Sequence, residues 1–181
     1  MYNMSIPENI QKIYRILNNH ERRIRELEKI ISKLRDTSIS EIKKEIIKVP
    51  SFQKLSRKIG VPESVLERLF DIEDESITLL DIIGESHKER TQNATLVVLL
   101  AYKYVFNREE VLAREIKRNI AELGISLANF PRYLNEIIPT FIRRKGKPRS
   151  PKTTYKLTLQ GEVRAKEILK TLGEIYAQEA A

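Results

Sequence analysis

The chain has 181 residues, enough for one ordinary domain or two small ones, and its 41% hydrophobic and 32% charged residues are typical of a soluble, helix-rich protein. Its formal net charge of +8 favours anionic partners, nucleic acid first and a membrane surface second. The absence of cysteine excludes disulfides, cysteine-zinc sites and thiol nucleophiles. The N-terminal segment lacks a signal-peptide pattern, and the longest apolar run, 94–101, is too short to cross a bilayer. We therefore expect a cytoplasmic protein with no membrane partner.

Residues 6–34 carry apolar side chains at alternating steps of four and three. This heptad pattern makes two helices supercoil about each other, and Arg23 of one helix would meet Glu28 of a parallel partner. We expect residues 1–36 to form a coiled coil that pairs two chains, with His20 as a polar residue that sets the register. An amphipathic helix packed on its own domain is the alternative. The expected dimerisation residues are Ile10, Ile13, Leu17, Ile24, Leu27, Ile31 and Leu34.

Residues 38–84 are expected to form a second, small helical module. Proline and glycine residues divide 38–72 into three short helices, and the turn at Gly60 resembles that of a helix-turn-helix. The exposed face of its last helix carries Glu63 and Glu67, and the acidic run 71–75 follows, so phosphates would be repelled. A structural or protein-binding role is favoured, with 38–75 as the surface for a protein partner, although DNA contact by this module stays open. Residues 76–90 are expected to be a short apolar segment followed by a linker.

In the last ninety residues the sequence pattern predicts three helices, a strand, a basic loop, a second strand and a final helix. The expected helices are 91–106, 109–123 and 127–138, with Gly124 ending the second and Pro139 ending the third. The loop is rich in lysine and arginine, and Tyr155, Leu157 and Leu159 alternate with polar residues as in a half-buried strand. We expect 90–181 to be one domain whose two-stranded β-hairpin packs on helices.

Residues 91–172 resemble the winged helix-turn-helix superfamily, especially its small prokaryotic and archaeal regulators. In those proteins a basic loop precedes a strand that ends as YKLTLQG does here and runs directly into the last helix. The resemblance implies a mainly α chain with a C-terminal winged helix that binds duplex DNA. It also implies that helix 127–138 lies in the major groove and that a basic wing, 143–156 with its tip near 144–153, lies on phosphates or in the minor groove.

The side chains at these positions suit that chemistry. Arginine can pair through two hydrogen bonds with guanine, asparagine can do so with adenine, and lysine binds phosphates. The candidate DNA-binding residues are Arg114, Lys117 and Arg118 on the second helix, Asn129, Arg132, Tyr133 and Asn135 on the third, and Arg143, Arg144, Lys145, Lys147, Arg149 and Lys152 in the wing.

No motif points to catalysis, a metal or a cofactor. The sequence has no glycine-rich phosphate loop, no HExxH and no Gly-x-Ser-x-Gly, and it has only two histidines. We therefore expect a non-enzymatic, homodimeric, sequence-specific DNA-binding protein that regulates transcription. Two alternatives stay open: a DNA-organising or partition protein of low sequence specificity, and a winged-helix adaptor that binds protein instead of DNA. The dimer could also form through the last helix, at Ile168, Leu172, Ile175 and Tyr176.

Overall fold

The computed structural model describes residues 8–34, 51–147 and 150–178 of the chain. It divides into two compact units, residues 1–49 and 50–181. The predicted helix at 38–50 lies outside the described residues. In the part of the chain that is described, no helix is long and apolar enough to span a membrane.

The described part of the first unit is one helix, α1 (Glu8–Leu34). At 27 residues it is about 40 Å long. Four of the expected seam residues, Leu17, Ile24, Leu27 and Ile31, are each 53–58% exposed. The side chains of Ile10, Ile13 and Leu34 lie outside the described set. These four residues form an exposed apolar stripe along α1.

The second unit is mainly helical, with two small antiparallel sheets. Its elements, in chain order, are α2 (Gln53–Ile59), α3 (Glu63–Leu69), β1 (Phe70–Glu73), β2 (Ser76–Leu79), α4 (His87–Val105), β3 (Val111–Leu112), α5 (Ala113–Glu122), α6 (Phe130–Ile137), β4 (Ile142–Lys145), β5 (Thr154–Leu157) and α7 (Leu159–Gln178).

Helix α4 lies at the centre of this unit and contacts α2, α5, α6 and α7. Its residues from Asn93 to Tyr102 are all buried, as its apolar sequence predicts for a central helix. Ser86 caps its N-terminus, since the Ser86 hydroxyl accepts a hydrogen bond from the Glu89 amide at 3.1 Å. The positions of α2, α5, α6 and α7 therefore depend on their packing on α4.

The expected boundary between a module at 38–84 and a domain at 90–181 falls inside the second unit. Buried residues of α2 and α3, such as Leu55 and Leu66, belong to the same continuous core as those of α4 and α7. Residues 70–79, expected to be the end of a short helix, an acidic run and the start of a short apolar segment, form the β1–β2 hairpin instead. Phe70, Ile77 and Leu79 of this hairpin are fully buried, so apolar packing overrides the acidic composition of its turn.

Two polar side chains attach the β1–β2 hairpin to the helices. Asn119 of α5 is fully buried; its amide accepts a hydrogen bond from the Leu79 amide at 2.7 Å and donates to the Ile77 carbonyl at 3.0 Å. The Tyr102 hydroxyl of α4 accepts a hydrogen bond from the Ile77 amide at 3.3 Å. These contacts satisfy backbone groups at the free edge of β2 and make the hairpin part of the core.

The second sheet has the strand order β3-β5-β4, and α7 follows directly from β5. Thr158 caps α7, since its hydroxyl accepts a hydrogen bond from the Gly161 amide at 3.0 Å. A Cβ at Gly161 would lie 1.9 Å from the Phe141 carbonyl oxygen, so glycine permits this close approach of the helix to the chain entering β4. Ile168 and Leu172 are buried within the unit, which removes half of the alternative dimerisation stripe on α7.

An ionic cluster fastens α7 to α4. Glu162 of α7 accepts hydrogen bonds from Lys103 and Lys166 at 2.6 Å and from the Tyr104 hydroxyl at 2.5 Å. Burial alone would raise the pKa of Glu162, but the hydrogen bonds from the two lysines and the tyrosine outweigh burial and lower it to about 2. Glu162 is therefore ionised at neutral pH.

Candidate nucleic-acid interface

The candidate surface is formed by the outward faces of α5 and α6 and by the β4–β5 hairpin. Apolar residues fix which faces are outward: Ile116 and Ile120 of α5 are buried, and so are Phe130, Leu134 and Ile137 of α6. Polar residues on the other faces, such as Arg118 and Arg132, are exposed, whereas Asn119, between the two isoleucines, is buried. The sequence therefore determines which polar side chains reach solvent.

On α6 the expected DNA-binding residues are mostly exposed. Arg132 and Asn135 are exposed in the helix, and Asn129 is exposed at its N-cap position. Tyr133 is half-buried, and its carbonyl accepts a hydrogen bond from the Gln92 side chain of α4 at 2.9 Å. Tyr133 thus helps to hold α6 on α4, while the other three remain accessible.

On α5 the three expected cations differ in their surroundings. Arg114 and Arg118 are exposed. Lys117 is half-buried, and its ammonium lies 5.4 Å from the centre of the Phe130 ring of α6. This cation–π contact joins α5 to α6, so Lys117 contributes to packing as well as to the positive surface.

The β4–β5 hairpin, together with its connecting loop 146–153, is here called the basic hairpin. The strands are in register with Ile142 opposite Leu157 and Lys145 opposite Thr154. In the loop, Gly146 has a positive φ of 99°, and the Thr153 hydroxyl donates to the Lys147 carbonyl at 2.6 Å. These local bonds close the loop upon itself. The expected cations Arg143, Arg144, Lys145, Lys147 and Lys152 are all exposed, whereas Arg149 lies outside the described residues.

One polar contact connects the basic hairpin to α6. The Arg144 guanidinium donates a hydrogen bond to the Asn135 amide oxygen, with 3.2 Å between Nη1 and Oδ1. Both residues were expected at the DNA interface from separate parts of the sequence. The structure brings them together, so α6 and the hairpin present one continuous surface.

Two carboxylates beside this surface, Glu136 and Glu110, are paired with lysines. Lys88 of α4 approaches Glu136 of α6 to 2.5 Å, and Lys145 approaches Glu110 to 3.1 Å. Glu110 also accepts a hydrogen bond from Thr154 at 3.1 Å. The hydrogen bonds from Lys88 and Lys145 lower the pKa of Glu136 and of Glu110, so both carboxylates stay ionised at neutral pH.

These pairings change the expected role of Lys145, because its charge is already compensated by Glu110. Lys88 and Glu110 were not predicted from the sequence, and each is one partner in one of these two ion pairs. Their partners, Glu136 and Lys145, are far away along the chain, and no local periodicity signals contacts of that kind. The expected cations without a described carboxylate partner include Arg114, Arg118, Arg143, Lys147 and Lys152.

Among residues 8–34, 51–147 and 150–178, no group of three or more histidine, aspartate or glutamate side chains is placed to hold a metal ion. A shallow cleft beside the basic hairpin is lined by Leu99, Lys103, Glu109, Lys156 and Leu157. Its lining is charged and open to solvent, so the surface chemistry that it offers is electrostatic.

Comparison of the chain with protein-family models, curated proteins and solved structures finds no match in any of the three.

Proposed function

We propose that this protein is a homodimeric, sequence-specific, double-stranded DNA-binding protein that regulates transcription. Residues 90–178 act as a winged helix, with α6 as the recognition helix and the basic hairpin as the wing. The observation that carries the proposal is the convergence of α5, α6 and the basic hairpin on one surface whose cations are exposed and whose nearby carboxylates Glu110 and Glu136 are paired.

The order of elements supports the winged-helix assignment. Helices α4, α5 and α6 are followed by the β4–β5 hairpin, and the short strand β3 precedes α5 and pairs with β5. In a winged helix this arrangement places the third helix and the hairpin side by side, where the helix fits the major groove and the hairpin the flanking backbone. The hydrogen bond between Asn135 and Arg144 matches that placement.

The charge of the surface supports duplex DNA as the ligand. Arg114 and Arg118 lie on α5, Arg132 on α6, and Arg143 and Lys147 on the basic hairpin. Lysine and arginine at this density neutralise phosphates and release their condensed counterions. With about four or five phosphate contacts from each of two subunits, affinity would fall by orders of magnitude between low and moderate salt.

Dimerisation is supported by α1. Tyr14 and Ile16 are also more than 50% exposed, so the apolar stripe extends beyond the seam itself. Along the seam Ile24 and Ile31 alternate with Leu27, and this alternation of isoleucine with leucine favours parallel pairs of helices. Two copies paired in this way would present two recognition helices to a two-fold symmetric site or to two half-sites.

Duplex binding is tested by fluorescence anisotropy with a mixed-sequence DNA duplex across a salt series, with an RNA duplex and a single strand as comparison ligands. The expected result is DNA binding whose logarithmic affinity falls steeply with the logarithm of salt. An affinity for the RNA duplex as high as for the DNA duplex, or an affinity that does not change with salt, would contradict the proposal. Competition with unrelated sequences separates a specific regulator from a DNA-organising protein, for which all duplexes compete equally.

Dimerisation through α1 is tested by light scattering of the full chain carrying Ile24→Glu and Leu27→Glu. The matched control carries Asn18→Glu and Asn19→Glu, which adds the same two charges away from the seam. The seam variant should be monomeric and the control dimeric. If both variants keep the mass of a dimer, α1 does not pair the subunits.

A further inference from the structure

Asn135 and Arg144 form one hydrogen-bonded pair at the centre of the candidate interface, and their contact fixes the orientation of both side chains. Arg144 Nη1 lies 3.2 Å from Asn135 Oδ1, and both side chains are exposed. Arg144 is also the cross-strand neighbour of Tyr155, which is buried in the adjacent strand. The guanidinium therefore lies between α6 and β5.

The chemistry of arginine determines which end of the Asn135 amide faces outward. A guanidinium has five N–H donors and no acceptor, so only the amide oxygen can face Arg144. The NH2 group of Asn135 is then directed elsewhere, and the remaining N–H groups of Arg144 lie beside it. Toward a ligand the pair offers hydrogen-bond donors and a positive charge.

The donor character of the pair selects among base edges. In the major groove guanine presents two acceptors, N7 and O6, whereas adenine presents one acceptor, N7, and the N6 amino donor. An isolated asparagine reads adenine by using its oxygen and its NH2 group together. In this protein the oxygen is engaged by Arg144, and the adjacent guanidinium charge repels the hydrogens of an adenine amino group.

We infer that Asn135 and Arg144 act as a single specificity-determining unit that selects guanine in the major groove. This inference rests on the proposed DNA-binding function and deepens it by naming the base that is read. Because the pair is held before the ligand arrives, little side-chain freedom is lost on binding, which favours discrimination. Arg144 accordingly reads a base, although its position in the hairpin predicts a phosphate contact.

The test is a binding selection from a duplex library with a randomised centre, carried out with the full chain. The enriched sequences should contain a guanine position at which any substitution weakens binding roughly tenfold or more. The selection is repeated with Asn135→Ala, with Arg144→Ala and with both changes together. Since the two residues act as a unit, each variant should lose the preference at the same position, and the double variant should lose little more than either single one.

Arg143→Ala is the matched control. Arg143 is the exposed neighbour of Arg144 in β4, and its side chain lies on the opposite face of the sheet from Arg144 and Asn135. Its removal should weaken all duplexes about equally and leave the guanine preference intact. A second variant, Arg144→Lys, keeps the charge but not the forked donors, and should retain salt-dependent binding while losing the preference.

The outcomes separate this inference from the proposed function. Salt-dependent duplex binding with an adenine preference, with no preferred base, or with a guanine preference that survives Arg144→Ala would overturn the inference alone. Absence of salt-dependent duplex binding would overturn the proposed function, and this inference with it. Circular dichroism and thermal unfolding are measured for each variant as a control that the exposed substitutions leave the fold intact.

Discussion

The described part of the chain contains two β-hairpins, each with strands of four residues, and their charges are opposite. In β1–β2 the turn is acidic, with Glu73, Asp74 and Glu75 exposed. In the basic hairpin the loop and the outer strand are cationic. Both hairpins bury apolar residues on one face, such as Ile77 in the first and Ile142 in the second.

They differ in how polar groups attach them to the helices. The acidic hairpin is tied in by buried neutral groups, Asn119 and Tyr102, which bond to its backbone. The basic hairpin is joined to α6 by exposed side chains, Arg144 and Asn135. The same local geometry is therefore a core element where its backbone is bonded by buried side chains, and it keeps its cations at the surface where only exposed side chains join it to a helix.

The largest effect expected from a single substitution is at Gly161, just behind the basic hairpin. In Gly161→Ala the new Cβ would lie 1.9 Å from the Phe141 carbonyl oxygen, so backbone must shift at the point where α7 meets the chain entering β4. We expect a loss of about 4 kcal/mol in the free energy of unfolding, measured by urea titration. Gln160→Ala, at an exposed neighbour, is the control. Equal stability of the two variants would show that the close approach is not needed.

The acidic hairpin is expected to depend on Asn119. Asn119→Ala leaves the Leu79 amide and the Ile77 carbonyl without their buried partner, and we expect a loss of about 3 kcal/mol in the free energy of unfolding. Tyr102→Phe removes the single longer bond to Ile77 and should cost about 1 kcal/mol. If Asn119→Ala is as stable as the parent chain, the acidic hairpin does not depend on these buried bonds. If Asn119→Ala lowers duplex affinity by as much free energy as it lowers stability, the two hairpins do not have the separate roles described above.

The ionic cluster behind the basic hairpin predicts a pH dependence that the neutral contacts of the acidic hairpin lack. The pKa of Glu162 is lowered to about 2 in the folded protein, so its contribution to stability is present above its ordinary pKa. That contribution disappears as the pH falls through the folded pKa. We expect Glu162→Gln to be less stable than the parent by about 2 kcal/mol at pH 7 and equally stable near pH 2. A difference between the two proteins that is constant with pH, as expected for Asn119→Ala, would contradict this assignment.

The smallest effect concerns the paired charge of the basic hairpin. Glu110→Gln releases Lys145 and removes a carboxylate next to the interface. Duplex affinity at low salt should rise about threefold. The slope of log affinity against log salt should steepen by about the amount expected for one more phosphate contact. Glu109→Gln removes the same charge from the neighbouring residue and is the control. An equal rise in both variants would mean that net charge alone, and not the release of Lys145, is responsible.

Much of the helical arrangement follows from local patterns in the sequence. The apolar stretch of α4, the left-handed Gly124 after α5 and the proline after α6 mark helix positions because they depend on side chains close together in the chain. The heptad spacing predicts a helix over 6–34, and α1 spans Glu8–Leu34. These are features that periodicity and backbone preference determine directly.

The features that sequence did not predict depend on distant contacts. Residues 70–79 were expected to include the end of a short helix, an acidic run and the start of an apolar segment, and no hairpin. Four of the residues 71–75 are charged, and the buried bonds from Asn119 come from forty residues away. Strand β3 has only two residues, and its formation depends on pairing with β5. The contact between Asn135 and Arg144 and the pairing of Lys145 with Glu110 arise in the same way. Tertiary packing decides these positions, and it leaves no local pattern.

Contact between the basic hairpin and DNA is tested most directly by comparing two variants of equal charge. One carries Arg143, Arg144, Lys147 and Lys152 all changed to Ala; the other carries Lys54, Arg57, Lys58 and Lys170, exposed residues of α2 and α7, changed to Ala. Each substitution set lowers the net charge from +8 to +4. Duplex affinity is measured by anisotropy across a salt series for both variants and for the parent chain.

We expect the hairpin variant to lose affinity on the order of a hundredfold or more and its salt slope to fall by about 0.9 for each phosphate contact removed. The α2 and α7 variant should keep most of the parent's affinity and slope. If both variants weaken binding alike, the response is to net charge and not to the hairpin. If neither changes binding, the basic hairpin does not touch DNA.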